Sequence, residues 1–310
     1  MALMIREQST TCSLFPNYVV AKAHTAALIG TKKFILTGFG CSISKSKAIT
    51  SAIGELNERV WSSPSIQSAL GTRLLAVESM TGKNLQNASV KGVAGLAPEF
   101  SFELSKDATG YAYHYSRLEA IEHGVRELIE RHLTWKIWMG HTQTYARQTV
   151  LKCLDRHYDL YTLQIQGLPY CLAVCVGSDF LSIGAKCSFS FQAAIDGAIS
   201  EAIMIYEEYR GSARSMPPAR HVETIKKLRN SRYRQETLVR ILDNTNFTTE
   251  QITEPEASTA LQVVQMINID PEQINIASYP TLNGNCIRAF SSVTKNPKFN
   301  LLNDQLIPML

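Results

Sequence analysis

Apolar and polar positions repeat along this chain with two different periods. From Ser46 to Trp61 the apolar residues Ile49, Ile53, Leu56 and Val60 recur every three or four places, which keeps one stripe of an α-helix against a core. Ser42 or Ser44 is placed to cap that helix. A second stripe, Ile121, Val125, Leu128 and Ile129, predicts a helix from Ser116 to about Trp138, with Ser116-Arg117-Leu118-Glu119 as a capping box. A third helix is expected from Phe191 to about Tyr209, behind Ser190. Lys32 to Thr37, Arg73 to Val77, Leu160 to Gln166 and Tyr170 to Val176 read as strands, and the last is apolar throughout and therefore central. Ile274 to Tyr279 and Asn285 to Phe290 form a hairpin across Leu-Asn-Gly-Asn. Residues 1–30 read as irregular apart from a short strand at Tyr18-Val19-Val20, and 220–270 read as mostly helical and charged. The pattern predicts an α+β fold of mixed sheets flanked by helices: an N-terminal segment 1–30, a core domain 31–292 and a tail 293–310.

The faces opposite the first two stripes are acidic. Ser51, Glu55, Glu58 and Arg59 lie at i, i+4, i+7 and i+8, on one side of their helix. Glu119, His123, Glu127 and Glu130 align in the same way on the second. The pentad Glu-Leu-x-Glu-Arg occurs twice, at 55–59 and at 127–131. Turned toward each other, the two faces would crowd four or five carboxylates into a cleft, which only cations can neutralise. Hard oxygen donors of this kind suit Mg2+, which usually arrives with phosphates. Turned outward, the same residues are a solvated surface with ordinary i,i+4 ion pairs, Glu55 to Arg59 and Glu127 to Arg131. Gly38-Phe39-Gly40 between strand and helix would let backbone N–H groups approach a phosphate, although neither the full dinucleotide fingerprint nor a P-loop is present.

Composition narrows the remaining classes. With 310 residues, 45% of them hydrophobic, the chain can bury a large core as one domain or two. A net charge of +4 does not argue for nucleic acid, and the densest basic run, Lys226 to Arg234, reads as an exposed helix face. Seven cysteines fit a reducing compartment, and with no signal peptide or membrane-length segment the expectation is a soluble cytoplasmic protein. His114, His123, His132 and His141 recur every nine residues, which puts neighbours on opposite helix faces, so they cannot share a metal. Cys171 and Cys175 share a strand face about 13 Å apart, too far for one zinc. No nucleophile elbow occurs, and the Ser, His and Asp residues give no specific triad.

Gly-Phe-Gly-Cys-Ser, then Ala48, then Ser-Ala-Ile-Gly-Glu-Leu-Asn-Glu-Arg resembles the nucleotide-binding core of the YcaO proteins, ATP-dependent enzymes that activate peptide backbone amides. The similarity runs through Gly110, Ala112, Glu119-Ala120 and the second pentad to Ala198-Ile199-Ser200-Glu201 and the strand at Cys286-Ile287-Arg288, about residues 30 to 292. The resemblance implies ATP and Mg2+ as cofactors. It places Ser51, Glu55, Glu58, Arg59, Glu119, Glu127, Glu130 and Arg131 at the nucleotide, together with Glu201 and Arg210, and implies Glu55, Glu58, Glu127 and Glu130 as metal ligands. The implied reaction is cyclodehydration of Cys, Ser or Thr in a ribosomally made peptide to thiazoline or oxazoline. Met204 stands where the family often has Gln, and Pro308 alone stands in a tail where azoline-forming members carry Pro-x-Pro-x-Pro. Thioamide or amidine formation, or a non-catalytic scaffold subunit of a modifying complex, therefore stays open. The expected partners are the precursor peptide and a separate leader-peptide-binding protein, with neither nucleic acid nor membrane; a homo-oligomer is left open.

Overall fold

The computed structural model describes residues 5–12, 15–29, 32–83, 85–96, 109–153, 156–211, 229–247 and 257–294. The stretch 212–228, with Pro217-Pro218, and the tail with Pro308 lie outside them. The chain divides into two compact units, the first comprising Met1–Thr10, Val19–Ile129 and Ser258–Asn296, the second Thr11–Tyr18, Glu130–Ala257 and Pro297–Leu310.

The first unit holds two sheets. Strands β1 (Ile5–Thr11), β2 (Val19–Ile29) and β3 (Lys32–Ser42) form one, in that order. Here the expectation of an irregular N-terminus fails: β2 pairs antiparallel with β3 along its whole length, from Val19 opposite Ser42 to Ile29 opposite Lys32. Lys22, His24 and Thr25 diluted the apolar alternation, and the strand exists because its alanines Ala21 and Ala23, fully buried, line the face that receives a helix. That helix is α1 (Lys45–Trp61). The second sheet takes β4 (Leu74–Ser79), β5 (Gln86–Ser89), β6 (Tyr111–His114), β12 (Ile274–Tyr279) and β13 (Asn285–Ser291) in the order β5-β4-β12-β13-β6. The expected hairpin is present as β12 and β13. Helices α2 (Pro64–Ala69), α3 (Val90–Val93) and α7 (Ala260–Met266) complete the unit, and Leu56, Val60, Trp61, Leu75, Val77 and Phe290 belong to its core. Helix α4 (Arg117–Trp138) starts here, seated on β13 through Gly124, where a Cβ would come within 2.4 Å of Ile287 Cδ1.

In the second unit β7 (Thr144–Cys153), β8 (Arg156–Gln164), β9 (Tyr170–Val176), β10 (Leu181–Cys187) and β11 (Thr245–Phe247) form a sheet ordered β10-β9-β8-β7-β11. β9 is interior, as its uninterrupted apolar run implied. Helix α5 (Phe191–Gly211) follows β10, and α6 (Ser231–Leu242) precedes β11. Phe15, Tyr158, Phe180 and Tyr206 form an aromatic cluster with centroids 5.3 to 6.3 Å apart. The described residues of 220–270 contain α6, β11 and α7.

Candidate functional site

The site is best built from one local device, a strand laid so close against a helix that only glycine fits between them. A Cβ on Gly38 of β3 would lie 2.1 Å from the Ala52 carbonyl oxygen of α1, and one on Gly40 would lie 2.1 Å from that of Ala48. This contact brings the Phe39 N–H within 2.5 Å of Glu55 Oε2, and Arg59 donates to Oε1 of the same carboxylate. Glu55 is therefore partly buried and fixed at both oxygens rather than free on a solvated surface. Phe39 also meets Arg59 and Lys22, whose cationic groups lie 5.8 and 5.1 Å from its ring centroid. Ser51 is exposed and Glu58 half-buried on the same helix.

On α4 the expected capping box forms only in part. Ser116 Oγ accepts the Glu119 N–H at 3.4 Å, but the Glu119 carboxylate turns to His114 Nδ1, 2.6 Å away, and the Ser116 N–H points to that same imidazole. With its carboxylate beside that imidazole, Glu119 does not reach back to the Ser116 N–H, and the reciprocal half of the box is left open. Glu122 instead accepts the Ala260 N–H at the start of α7. Glu127 is half-buried and Glu130 is only 4% exposed.

In the second unit Glu130 Oε2 accepts the Cys187 N–H at 3.0 Å and lies 3.7 Å from Lys186 Nζ. Burial, with the Glu130 carboxylate adding to it, pushes the Glu201 carboxyl up to about 7; Arg131, Lys186 and the Ala185 N–H act in the opposite direction. The Arg210 side chain lies outside the described residues.

The structure also relocates the internal repeat. Strand β10 and helix α5 reproduce the device of β3 and α1: a Cβ on Gly184 would lie 2.3 Å from the Ala198 carbonyl oxygen, and the Ala185 N–H donates to Glu201 at 2.8 Å. Both strand-to-glutamate bonds span 16 residues. Ala23 faces Gly38 across one hairpin and Ala173 faces Gly184 across the other. The partner of Glu55 is thus Glu201, not the Glu127 of the second pentad. The signal was available: Gly-x-x-Cys-Ser-x-Ser, then Ala-Ile-x-x-Ala-Ile-x-Glu, runs from Gly38 to Glu55 and again, at the same spacing, from Gly184 to Glu201. The pentad is conspicuous because its residues are charged, whereas the structural repeat consists of small residues whose purpose is close packing.

The donor set is hard oxygen, the kind Mg2+ takes. Among the described residues no three His, Cys, Asp or Glu side chains gather closely enough to hold an ion by themselves. That suits Mg2+, which binds through one or two carboxylates and completes its shell with phosphate oxygens and water.

The family model for YcaO cyclodehydratase, ATP- and Mg2+-binding, matches residues 93–266, more than half of the chain, and the chain belongs to the YcaO family. ATP and Mg2+ are accordingly its cofactors. Solved structures share the fold. YcaO from Methanopyrus kandleri bound with AMPPCP and Mg2+ is 12% identical, with TM-score 0.57, covering 98% of this chain and 89% of that one. A heterocyclase in complex with substrate and cofactor is 14% identical, with TM-score 0.63; the match covers 94% of this chain and half (50%) of that one. The E. coli microcin synthetase McbBCD complex with pro-MccB17 bound is 13% identical, with TM-score 0.59 and coverages of 93% and 88%. No curated protein matches the sequence. Among the described residues no helix is long and apolar enough to cross a membrane.

Proposed function

We propose that this protein activates backbone amides of a ribosomally made peptide in an ATP- and Mg2+-dependent reaction, most simply cyclodehydration of Cys, Ser or Thr to thiazoline or oxazoline. The observation that carries the reading is the Glu55 carboxylate, anchored by the Phe39 N–H and by Arg59 on a helix whose sequence has the YcaO pattern. In this reading Glu55, Glu58, Glu127 and Glu130 hold Mg2+, and Ser51, Arg59, Glu119, Arg131, Glu201 and Arg210 attend the nucleotide. ATP supplies the phosphoryl group that turns an amide oxygen into a leaving group. The protein's own share is orientation: a carboxylate held by a backbone amide and a guanidinium loses little freedom when a cation arrives. A precursor peptide and a separate leader-binding protein are the proposed partners; the substrate-bound heterocyclase and the McbBCD assembly support this. Thioamide or amidine formation at the same site differs only in the nucleophile.

Met204, where the family often has Gln, favours a second reading, a non-catalytic subunit of a peptide-modifying complex. One experiment separates them. AMPPCP is titrated with Mg2+ into the wild-type protein and into Glu55→Gln, which keeps an oxygen for the Phe39 N–H but removes the charge. The expected result is binding by the wild type, weakened about tenfold or more in the variant by the loss of one unit charge at the ion. Equal affinities would refute the assignment of Glu55, and no binding by the wild type would favour the scaffold. Mass spectrometry of a Cys-, Ser- and Thr-containing precursor peptide then distinguishes the products: loss of water for azoline or amidine, exchange of oxygen for sulfur for thioamide.

A further inference from the structure

The cyclodehydration proposed above takes two protons from the peptide, one from the thiol or hydroxyl that attacks and one from the amide nitrogen that enters the ring. The proposed nucleotide set offers no ready acceptor for the first. Its arginines cannot take a proton. Glu55, Glu130 and Glu201 already accept the N–H groups of Phe39, Cys187 and Ala185, and Glu58 and Glu127 are assigned to metal. Beside Glu119 of that set, however, stands an imidazole. His114 is the last residue of β6, and its Nδ1 lies 2.6 Å from Glu119 Oε2 in the first turn of α4. The backbone under the ring is fixed: His114 sits opposite Asn285 in the pairing of β6 with β13, and the Asn285 side chain donates to the Tyr115 carbonyl oxygen at 2.7 Å. The Tyr115 ring meets the imidazole edge-on, with centroids 6.4 Å apart, and the neighbouring Arg117 is engaged by Glu78 of β4. The His114 side chain is still 42% exposed, enough for a peptide to reach it.

Two contacts compete to set the tautomer. A carboxylate oxygen at 2.6 Å requires the proton on Nδ1, since a bare nitrogen there would set its lone pair against the negative charge; acceptance of the Ser116 N–H, 3.2 Å away, would put the proton on Nε2. The shorter contact, with the charged partner, decides for Nδ1–H, and Nε2 is then the basic nitrogen. We propose that His114 is the proton acceptor of the reaction and that Glu119 is the residue that positions it. Nε2 takes the proton of the attacking thiol or hydroxyl as sulfur or oxygen bonds to the preceding carbonyl carbon, and the Glu119 charge stabilises the imidazolium that results. The carbonyl oxygen departs with the phosphoryl group supplied by ATP, the amide nitrogen loses its proton as the C=N bond forms, and the proton on Nε2 passes to solvent. ATP and peptide thus yield ADP, phosphate and a peptide lighter by one water. The pairing uses Oε2 alone, and the carboxylate keeps a second oxygen for the nucleotide. The inference rests on the proposed function and adds the base that it lacks.

The tautomer is tested first, without nucleotide or peptide, from the ring nitrogen chemical shifts of the full chain, with the His114 signals assigned by their loss in His114→Gln. The expected result is Nδ1–H and an unprotonated Nε2 in the neutral ring of the wild type, shifting toward Nε2–H in Glu119→Gln. Nε2–H in the wild type would overturn the proposal. Turnover is read second, as ATP consumption dependent on a Cys-, Ser- and Thr-containing precursor peptide. His114→Gln is expected to lose about a hundredfold or more while still binding AMPPCP with Mg2+, and added imidazole is expected to restore part of the rate lost in His114→Gly. Undiminished turnover by His114→Gln, or a loss in His114→Gly that imidazole leaves untouched, as a purely structural ion pair would give, would equally overturn it. Should the wild type neither bind AMPPCP nor consume ATP with the peptide, the proposed function fails, and the tautomer measurement still decides the pairing of His114 with Glu119.

Discussion

Replacing Gly38 by alanine tests the close approach on which the first half of the site depends. The added Cβ would meet the Ala52 oxygen at 2.1 Å, the Leu56 nitrogen at 2.4 Å and Leu56 Cα at 2.9 Å, all backbone atoms that cannot swing aside. Ordinary contact begins near 3.4 Å, so α1 has to withdraw from β3 by about 1 Å. That shift opens the core made by Ala21, Ala23, Ala52 and Leu56, and it stretches the 2.5 Å bond from the Phe39 N–H to Glu55. Overpacking costs about 1–3 kcal/mol. A weakened bond to a charged acceptor costs about 1–2 kcal/mol more, and reduced freedom of the unfolded chain returns about 0.4–1 kcal/mol. The expected net loss is roughly 2–4 kcal/mol, large against the usual 5–15 kcal/mol of a domain yet short of unfolding it. Urea unfolding followed by fluorescence of Trp61, buried in the same core, measures it. Gly54→Ala is the control: a Cβ there meets nothing within 4 Å, so the change is expected to stabilise α1 by about 0.5–1 kcal/mol. The reasoning is refuted if Gly38→Ala unfolds at the same urea concentration as the parent, or if the two variants shift it alike.

Other outcomes follow from buried charge. Glu201 binds its proton more tightly in the folded chain, with its carboxyl raised from 4.5 to about 7, so the stability it contributes is fully present below pH 4.5 and is lost as pH rises through 7. In metal-free buffer Glu201→Gln is expected to flatten that decline in melting temperature; an unchanged slope would show that the group does not titrate there. Arg288, 1% exposed, donates to the Val93 and Thr109 carbonyls and lies 4.7 Å from the Tyr111 ring centroid. Arg288→Met removes donors from two carbonyls in the core, with an expected cost of about 3 kcal/mol in chemical denaturation.

Glu130 shows why a helical wheel is not enough to choose a test residue. Lying off the apolar stripe, it suggests a surface carboxylate whose removal spares the fold. It is in fact buried against the Cys187 N–H and Lys186, so truncating it would remove the acceptor of that buried N–H and a carboxylate beside the lysine. Glu55, with its side chain 28% exposed, is the safer position for substitution.

What the sequence determined by itself was local: three amphipathic helices, the interior strand β9, the β12–β13 hairpin, and the acidic residues with their family pattern. Each depends on a periodicity or a motif that a few neighbouring residues express. Strand β2, with its alanines and interspersed polar residues, and β7, where Arg147, Gln148, Thr149 and Lys152 break up the apolar positions, have too little apolar contrast to stand out, and are strands because a partner fills their hydrogen bonds. The repeat that makes Glu55 and Glu201 equivalent is also written in the sequence, but its small residues gain their meaning only from the tertiary structure, which shows how closely each helix approaches its strand. It also decided that Glu130 is buried and that Lys186 lies beside it, since both follow from the fold bringing residues far apart in sequence together at one carboxylate.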